Sequence, residues 1–399
     1  MNDIAKNAQP CASISSLLAE RITAGDFPSA VYVVAERGRM VLADALGYAV
    51  QGAVQGTVQG AERKVEPIAA TLHTIYDLAS LTKPLVTALL CARLIERGEL
   101  TLNTTIAQLL SEFDQPDKYA VNVRHLLTHT SGLPAWLPLS IISNGDHRRV
   151  LEVIAAQALA DEPGTRVIYS DLGFITLGQL LERITIMPFI ELAHREIFEP
   201  LGLMRTFFNP GKSLKHEVAA SESEGNAYER GMCADAGHAD SSGNWREGLI
   251  WGEVHDGNAY FLGGASGHAG LFSTAHETVR IAEQSIAELT KLLRPATCEL
   301  FHTNMTPDLN EARSFGWQLA ATTDSTAGPN LPLESFGHTG FTGTSCWIDA
   351  ERQRIFVLLT NRTHTHPIPF ANINSVRRHF HTLAVAALDR MNPINEQTQ

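Results

Sequence analysis

Ser80-Leu81-Thr82-Lys83 is the stretch on which the fold turns. Pro84 stands directly behind it, and Leu85, Leu89, Leu90, Leu94 and Ile95 follow at helical spacing up to Gly98. The apolar stripe predicts a helix from Leu81 that Gly98 stops. If Ser80 begins that helix, the i, i+3 spacing sets Lys83 on the same face, one turn above the hydroxyl. Pro84 then falls within the first turn, where its missing N–H costs nothing. A serine hydroxyl is a weak nucleophile until a base removes its proton, and a partly desolvated lysine amine can serve. Of the lysines in the chain, only Lys83 has a serine three residues earlier. The spacing alone does not settle the matter: about one S-x-x-K arises by chance in a chain this long, and an N-cap serine beside an exposed lysine reads equally well.

Outward from this helix, the N-terminal side predicts a helix over 13–24, with Ile14, Leu17, Leu18 and Ile22 on one face. A β-hairpin follows, its arms Ala30–Ala35 and Met40–Leu46 joined by Glu36-Arg37-Gly38-Arg39. Residues 50–61 repeat Val-Gln-Gly three times. A glycine at every fourth position weakens any strand, so this stretch reads as a surface excursion without function. On the C-terminal side, helices are expected near 104–111, 122–128, 147–160, 172–183 and 187–198, an irregular segment over 221–270, and a helix over 275–292. The runs Gly343–Ile348 and Arg354–Thr360 form a strand pair, and a last helix spans 374–389. Strands at both ends around a helical middle imply an α/β (α+β) fold: an antiparallel sheet flanked by helices, with a mostly helical domain inserted. The expected division is 1–85 with 271–399 as the sheet domain and 86–270 as the insert, with the active site in the cleft between them.

The chain of 399 residues carries 31 Lys and Arg against 43 Asp and Glu, a net charge of −12. This argues against nucleic acid as a partner, which demands clustered basic residues. With 44% hydrophobic residues and a mean hydropathy of −0.05 the composition is that of an ordinary globular protein. Its five cysteines, Cys11, Cys91, Cys233, Cys298 and Cys346, contain no C-x-x-C pair, which favours free thiols over a zinc ribbon or a disulfide framework. The N-terminus lacks a signal h-region and no apolar run is long enough to span a bilayer, so the expected compartment is the cytoplasm if Met1 is the natural start, and the periplasm if a leader has been removed.

Two further motifs join the first. Tyr169-Ser170-Asp171 follows a Pro163-Gly164 turn in an expected extended loop, where alternation points Tyr169 and Asp171 to one side. His338-Thr339-Gly340 precedes the Gly343–Ile348 strand, and its glycine lets backbone approach a substrate. S-x-x-K, then Y-x-(N/D), then (K/H)-T-G is an ordered triple that chance rarely supplies. On these motifs the chain resembles the serine β-lactamase and D,D-peptidase superfamily, in the branch holding class C β-lactamases, D-Ala-D-Ala carboxypeptidases and β-lactamase-like esterases. The likeness runs over nearly the whole chain. His125–Leu133 is similar to the segment after the nucleophile helix in that branch, and Glu253-Val254-His255-Asp256 and Gly267–Thr274 to stretches of β-lactamase-related hydrolases.

The resemblance implies roles residue by residue. Ser80 is the nucleophile that forms an acyl-enzyme, Lys83 shares its proton, and Tyr169 is a general acid/base toward the leaving group and the deacylating water. His338 stands where class C β-lactamases hold lysine and would orient Tyr169 and a substrate carboxylate, with Asp171, Thr339 and Gly340 as substrate-binding positions. The backbone N–H groups of Ser80 and Phe341 would form the oxyanion hole. No metal and no organic cofactor is implied.

Asp171 departs from the usual asparagine: an ionised carboxylate cannot donate, and beside Lys83 it favours the ammonium. This predicts proton work shifted toward Tyr169 and a disfavoured acylamino side chain. The alternative is a plain ion pair with Lys83.

His364-Thr365-His366 lacks the rest of a metallo-hydrolase ligand set. His125, His129, His255 and His268 read as structural or cleft-lining, and Trp136, Trp251 and Phe341 as acyl-pocket walls or core. An α/β-hydrolase elbow is excluded because Gly264-Ala265-Ser266-Gly267-His268 fails G-x-S-x-G at its last position. The resulting expectation is a serine hydrolase acting on a small ester, β-lactam or short peptide. An esterase or D-peptidase is favoured by the missing export signal, and a class C-type β-lactamase or a weakly catalytic penicillin-binding module are the alternatives.

Overall fold

The computed structural model of the chain describes residues 8–52, 54–58, 61–238, 245–364 and 368–391. The hairpin Ser29–Glu36 and Arg39–Val50 turns through Arg37 and Gly38, both at positive φ (51° and 72°). This is the two-residue geometry whose twist matches paired strands. Arg354–Thr360 docks antiparallel on the other edge of Ser29–Glu36, from Ala30 opposite Thr360 to Glu36 opposite Arg354. Ser345–Asp349, Phe336–Thr339 and Gln318–Leu319 then follow outward. Ile68–Ala69 completes the seven strands at the far edge, so both ends of the chain share one antiparallel sheet.

Alternation sends the two faces of this sheet into different cores. Val31, Val33 and Ala35 join the large cluster that also takes Leu85, Leu89 and Leu90 and the helical middle of the chain. Ala30, Tyr32 and Val34 face the other way, onto the helices Ala12–Thr23 and Asn374–Met391 with Trp347, Phe356 and Phe380. A sheet covered by helices on both sides is the α/β architecture expected. A smaller sheet pairs Tyr76–Asp77 and Phe207–Phe208 with Leu271–Ser273. It fixes the backbone that leads directly into Ser80.

Several local expectations are corrected. The triple Val-Gln-Gly segment includes a strand, Val54–Val58, paired with Ala61–Lys64, because backbone pairing needs no packed side chains. The stretch 104–111 is not one helix: it makes single 3₁₀ turns at Ile106–Gln108 and Ser111–Phe113. Residues 221–270 contain the helices Ala227–Asp235 and Gly257–Phe261. The helix from Ala275 stops at Ala282 with one 3₁₀ turn after it, and the Gln284 side chain takes the backbone N–H groups of Lys291 and Leu292 from the loop beyond. His338 and Thr339 lie on a strand of their own, Phe336–Thr339, and the next begins only at Ser345.

Candidate active site

Ser80 sits in a tight turn, Ala79–Leu81, ahead of a helix whose first turns, Lys83–Ala88, are π-helical before Leu89–Glu96 becomes regular. Ala79 carries φ of +48°, a left-handed conformation a Cβ disfavours. The turn is held from outside. Asp77 Oδ1 accepts the Ala79 N–H (2.8 Å), and the hydroxyls of Thr342 and Thr344 donate to the carbonyls of Asp77 (2.7 Å) and Leu78 (3.0 Å). Gly340 packs so close that a Cβ there would stand 2.4 Å from the Leu78 oxygen. These contacts draw the backbone of Gly340 and Phe341 alongside Ser80.

Lys83 is fully buried, and its ammonium meets three acceptors: Ser80 Oγ (2.9 Å), the His268 carbonyl (3.2 Å) and Asp171 Oδ1 (2.7 Å). The His268 loop reaches it because Gly267 touches Gly178 and the Phe174 carbonyl, where a Cβ would stand 2.0 Å from that oxygen. Burial alone would push the Lys83 amine down, but the Asp171 charge, with Tyr169 beside it, raises it above the usual lysine range. Tyr169 and Ser170 lie in the expected loop, Ser170 with extended backbone, but Asp171 already begins a helix: Ser170 is the N-cap of Asp171–Thr185, its hydroxyl accepting the Gly173 N–H (3.3 Å). Tyr169 and Asp171 nonetheless both face Lys83, whose Nζ lies 4.9 Å from the tyrosine ring centre. Burial raises the Tyr169 phenol, against the lowering effect of Lys83. At neutral pH the pair therefore holds a full complement of protons.

His338 is buried, and its ring centre is 5.7 Å from that of Tyr169. Its Nδ1 lies 2.8 Å from the Thr339 carbonyl, which can only accept, so Nδ1 carries the hydrogen. Burial, then the charges of Lys83 and Arg313, hold the imidazole neutral, well below the usual histidine range. Its Nε2 is left as a bare lone pair without a hydrogen-bond partner among the described residues.

Ser80, Tyr169, Asp171, His338, Thr339, Gly340 and Phe341 line one cavity of about 570 Å³, and Lys83 stands behind its wall. Trp136 and Phe341 line it as expected. Trp251 does not: it is core, its indole donating to the Val218 carbonyl (2.8 Å). His364 is taken up by the Ser221 carbonyl and the Gln51 N–H, and His366 lies outside the described residues. His125 closes a helix cap with Asn122. His129 lies against the Tyr169 ring (4.5 Å between centres) and accepts the Ser170 N–H at Nδ1 (3.0 Å), so it supports the tyrosine.

Sequence reasoning missed the two threonine clamps and the Tyr169 support. It also missed the cleft residues Tyr228, Glu229, Asp256, Arg313, Arg362, Asn374 and Arg377. Of these only Asp256 carried a signal, inside Glu253-Val254-His255-Asp256. Among the described residues, one group of side chains has the spacing of a metal site: ligand atoms of Asp171, Asp256 and His268 within 4.8 Å of one another. The Lys83 ammonium on Asp171 already supplies a cation there. Among the described residues no single helix is long and apolar enough to cross a membrane.

The family model described as Beta-lactamase matches residues 14–378. Proteins of Salmonella agona and Salmonella typhimurium, provisionally named D-alanyl-D-alanine carboxypeptidase, are 30% identical to the chain over 387 residues, covering 92% of this chain and 85% of theirs. Among solved structures, a penicillin-binding protein homologue from Caulobacter crescentus superposes with a TM-score of 0.69 at 20% identity, covering 95% of this chain and 98% of its own. EstCE1, a hydrolase with promiscuous acyltransferase activity, gives 0.66 at 22%, covering 93% and 97%. Simvastatin synthase from Aspergillus terreus gives 0.69 at 19%, covering 97% of each chain.

Proposed function

Because the chain belongs to the Beta-lactamase family and is a serine hydrolase of that family, we propose that it works through an acyl-enzyme on Ser80, with small esters and short amides as substrates. The observation that carries the reading is the Lys83 ammonium donating to Ser80 Oγ at 2.9 Å with the Tyr169 ring beside it. Ser80 Oγ attacks the scissile carbonyl, whose oxygen takes the negative charge into the backbone N–H groups of Ser80 and Phe341. The serine proton enters the Tyr169–Lys83 unit and leaves on the departing alkoxide or amine. Water then attacks the acyl carbon, gives a proton to the same unit, and frees the acid and Ser80. Since Lys83 and Tyr169 rest fully protonated, attack needs that unit to hold one proton fewer, and the rate rises with pH. Asp171 sets where that rise begins. The carboxypeptidase name of the Salmonella relatives supports a peptide or amino-acid acyl group.

The test is turnover of p-nitrophenyl butyrate and trapping with a fluorescent penicillin, each followed by intact mass, with Ser80→Ala alongside. Ester turnover with an acyl adduct on Ser80, lost in the variant, is expected. Turnover that survives Ser80→Ala overturns the assignment, and trapping without turnover reduces the protein to a penicillin-binding module.

A further inference from the structure

A second cavity lies against the catalytic one. It measures about 250 Å³, and Trp245, Tyr260 and Phe261 are among the residues that line it. Glu229 and Gly257 line both cavities, and the two residues touch. Glu229 stands in the first turn of the helix Ala227–Asp235, and Gly257 begins the helix Gly257–Phe261. A Cβ on Gly257 would lie 1.9 Å from Glu229 Oε2 and 2.4 Å from Oε1. The carboxyl group thus rests with both oxygens on the glycine backbone, and this contact is a wall shared by the two spaces.

The two sides of the wall differ in stiffness. Gly257 follows Asp256, whose Oδ1 accepts the Ala259 N–H (2.7 Å) and meets His268 Nε2 (2.8 Å), so that backbone is anchored. Glu229 is held at one point among the described residues, its Oε2 accepting an N–H of the Asn226 side chain (3.0 Å). Burial, with the Asp256 charge beside it, pushes its carboxyl up to about 8, so at neutral pH it is mostly the neutral acid.

Beyond the wall a guest meets mainly ring surface. Asn226 also lines the second cavity, but its amide is spent inside the protein: Nδ2 on Glu229, and Oδ1 on the backbone N–H (3.2 Å) and Nε (2.9 Å) of Arg246. The Arg246 guanidinium in turn covers the Tyr260 ring, 4.3 Å from its centre. An apolar cavity of ~150 Å³ already holds benzene, so this one has room for a phenyl ring or a medium alkyl chain.

We propose that Glu229 sets the size of substrate the enzyme accepts: its side chain ends the catalytic cavity, and the aromatic-lined space behind it is a subsite for an aryl or medium-chain alkyl end of an ester or amide, reached only when that side chain is out of the way. This rests on the acyl-enzyme reading above, because the reacting carbonyl must stay at Ser80, which lines the catalytic cavity.

The experiment measures kcat/KM over two ester series, each below its critical micelle concentration. One lengthens the acyl chain of p-nitrophenyl esters from acetate through butyrate to octanoate and phenylbutyrate, and the other lengthens the alcohol of butyrate esters from ethyl to octyl and phenylpropyl. Wild-type activity is expected to fall with length in at least one series. In that series Glu229→Ala should raise the ratio of long to short substrate at least tenfold, through KM, since each methylene moved from water into an apolar site is worth about fourfold. Glu229→Gln, of the same size, should keep the wild-type profile, and Glu229→Ser takes the place of the alanine variant if that fails to fold. A general loosening of the fold would lower all esters and leave the ratio unmoved. Wild-type enzyme that turns over the longest esters of both series as well as the short ones overturns the inference. So does an unchanged profile in Glu229→Ala, or a glutamine variant that behaves like alanine. Each of these leaves the acyl-enzyme reading intact as long as butyrate turnover depends on Ser80; no Ser80-dependent turnover of any ester sinks both.

Discussion

A single methyl group at Gly340 tests the proposed oxyanion site. A Cβ at Gly340 would lie 2.4 Å from the Leu78 carbonyl oxygen and 2.1 Å from Thr344 Oγ1, where ordinary contact begins near 3.4 Å. The threonine side chain can turn aside. The Leu78 carbonyl cannot, because it belongs to the turn that carries Ser80 and is tied through its N–H to the Leu271 carbonyl (2.8 Å). Gly340→Ala therefore drives the Gly340–Phe341 backbone about 1 Å away from Ser80. A displacement of this size at a reacting centre costs on the order of 100-fold in rate, about 2.7 kcal/mol of transition-state stabilisation. Overpacking costs the fold about 1–3 kcal/mol in addition. In the proposed oxyanion site the N–H of Phe341 would meet full negative charge only in the transition state, so kcat should fall and KM stay close to wild type. The assay is steady-state hydrolysis of p-nitrophenyl butyrate at temperatures where urea unfolding shows the variant folded. Adding Thr344→Ala should not rescue it, since the obstruction is backbone. A folded Gly340→Ala enzyme within threefold of wild-type kcat would refute the placement of Phe341 in the oxyanion site, and rescue by Thr344→Ala would move the clash to the side chain.

Asp171→Asn removes the charge that holds the Lys83 amine up and leaves the burial that pushes it down, so the ascending limb of the kcat/KM profile should move to lower pH; an unmoved or upward-moved limb contradicts the proton assignment. Glu229 has its folded-state carboxyl raised to about 8, so the stability it contributes is full below its unfolded value and is lost as pH rises through 8. Glu229→Gln should flatten the fall in Tm between pH 5 and 8 measured by calorimetry, and an unchanged slope would show that Glu229 is not the group responsible.

Much of the architecture is carried by local patterns. The continuous apolar, Val-rich run of Ser29–Glu36, the helical stripe after Ser80 and the Arg37-Gly38 turn are properties of neighbouring residues, so strand, helix and hairpin can be read in one dimension. Three short motifs likewise named the residues that meet in the cleft, because the backbone geometry each one needs is encoded within a few positions. The same local reasoning failed at residues 104–111 and 275–292, where apolar spacing continued but the chain broke into 3₁₀ turns under packing and side-chain capping.

The state of the site is another matter. Whether Lys83 is a base or an ammonium depends on a carboxylate 88 positions away that reaches it at 2.7 Å and on complete removal from solvent. Those are facts of packing, and they oppose each other in their effect on the amine. The clamps from Thr342 and Thr344 and the His129 ring on Tyr169 likewise join segments far apart in sequence. Residue type and spacing determined which groups could do the chemistry. Only the folded arrangement, which sets distance and dielectric, decided their protonation and the charge a substrate meets.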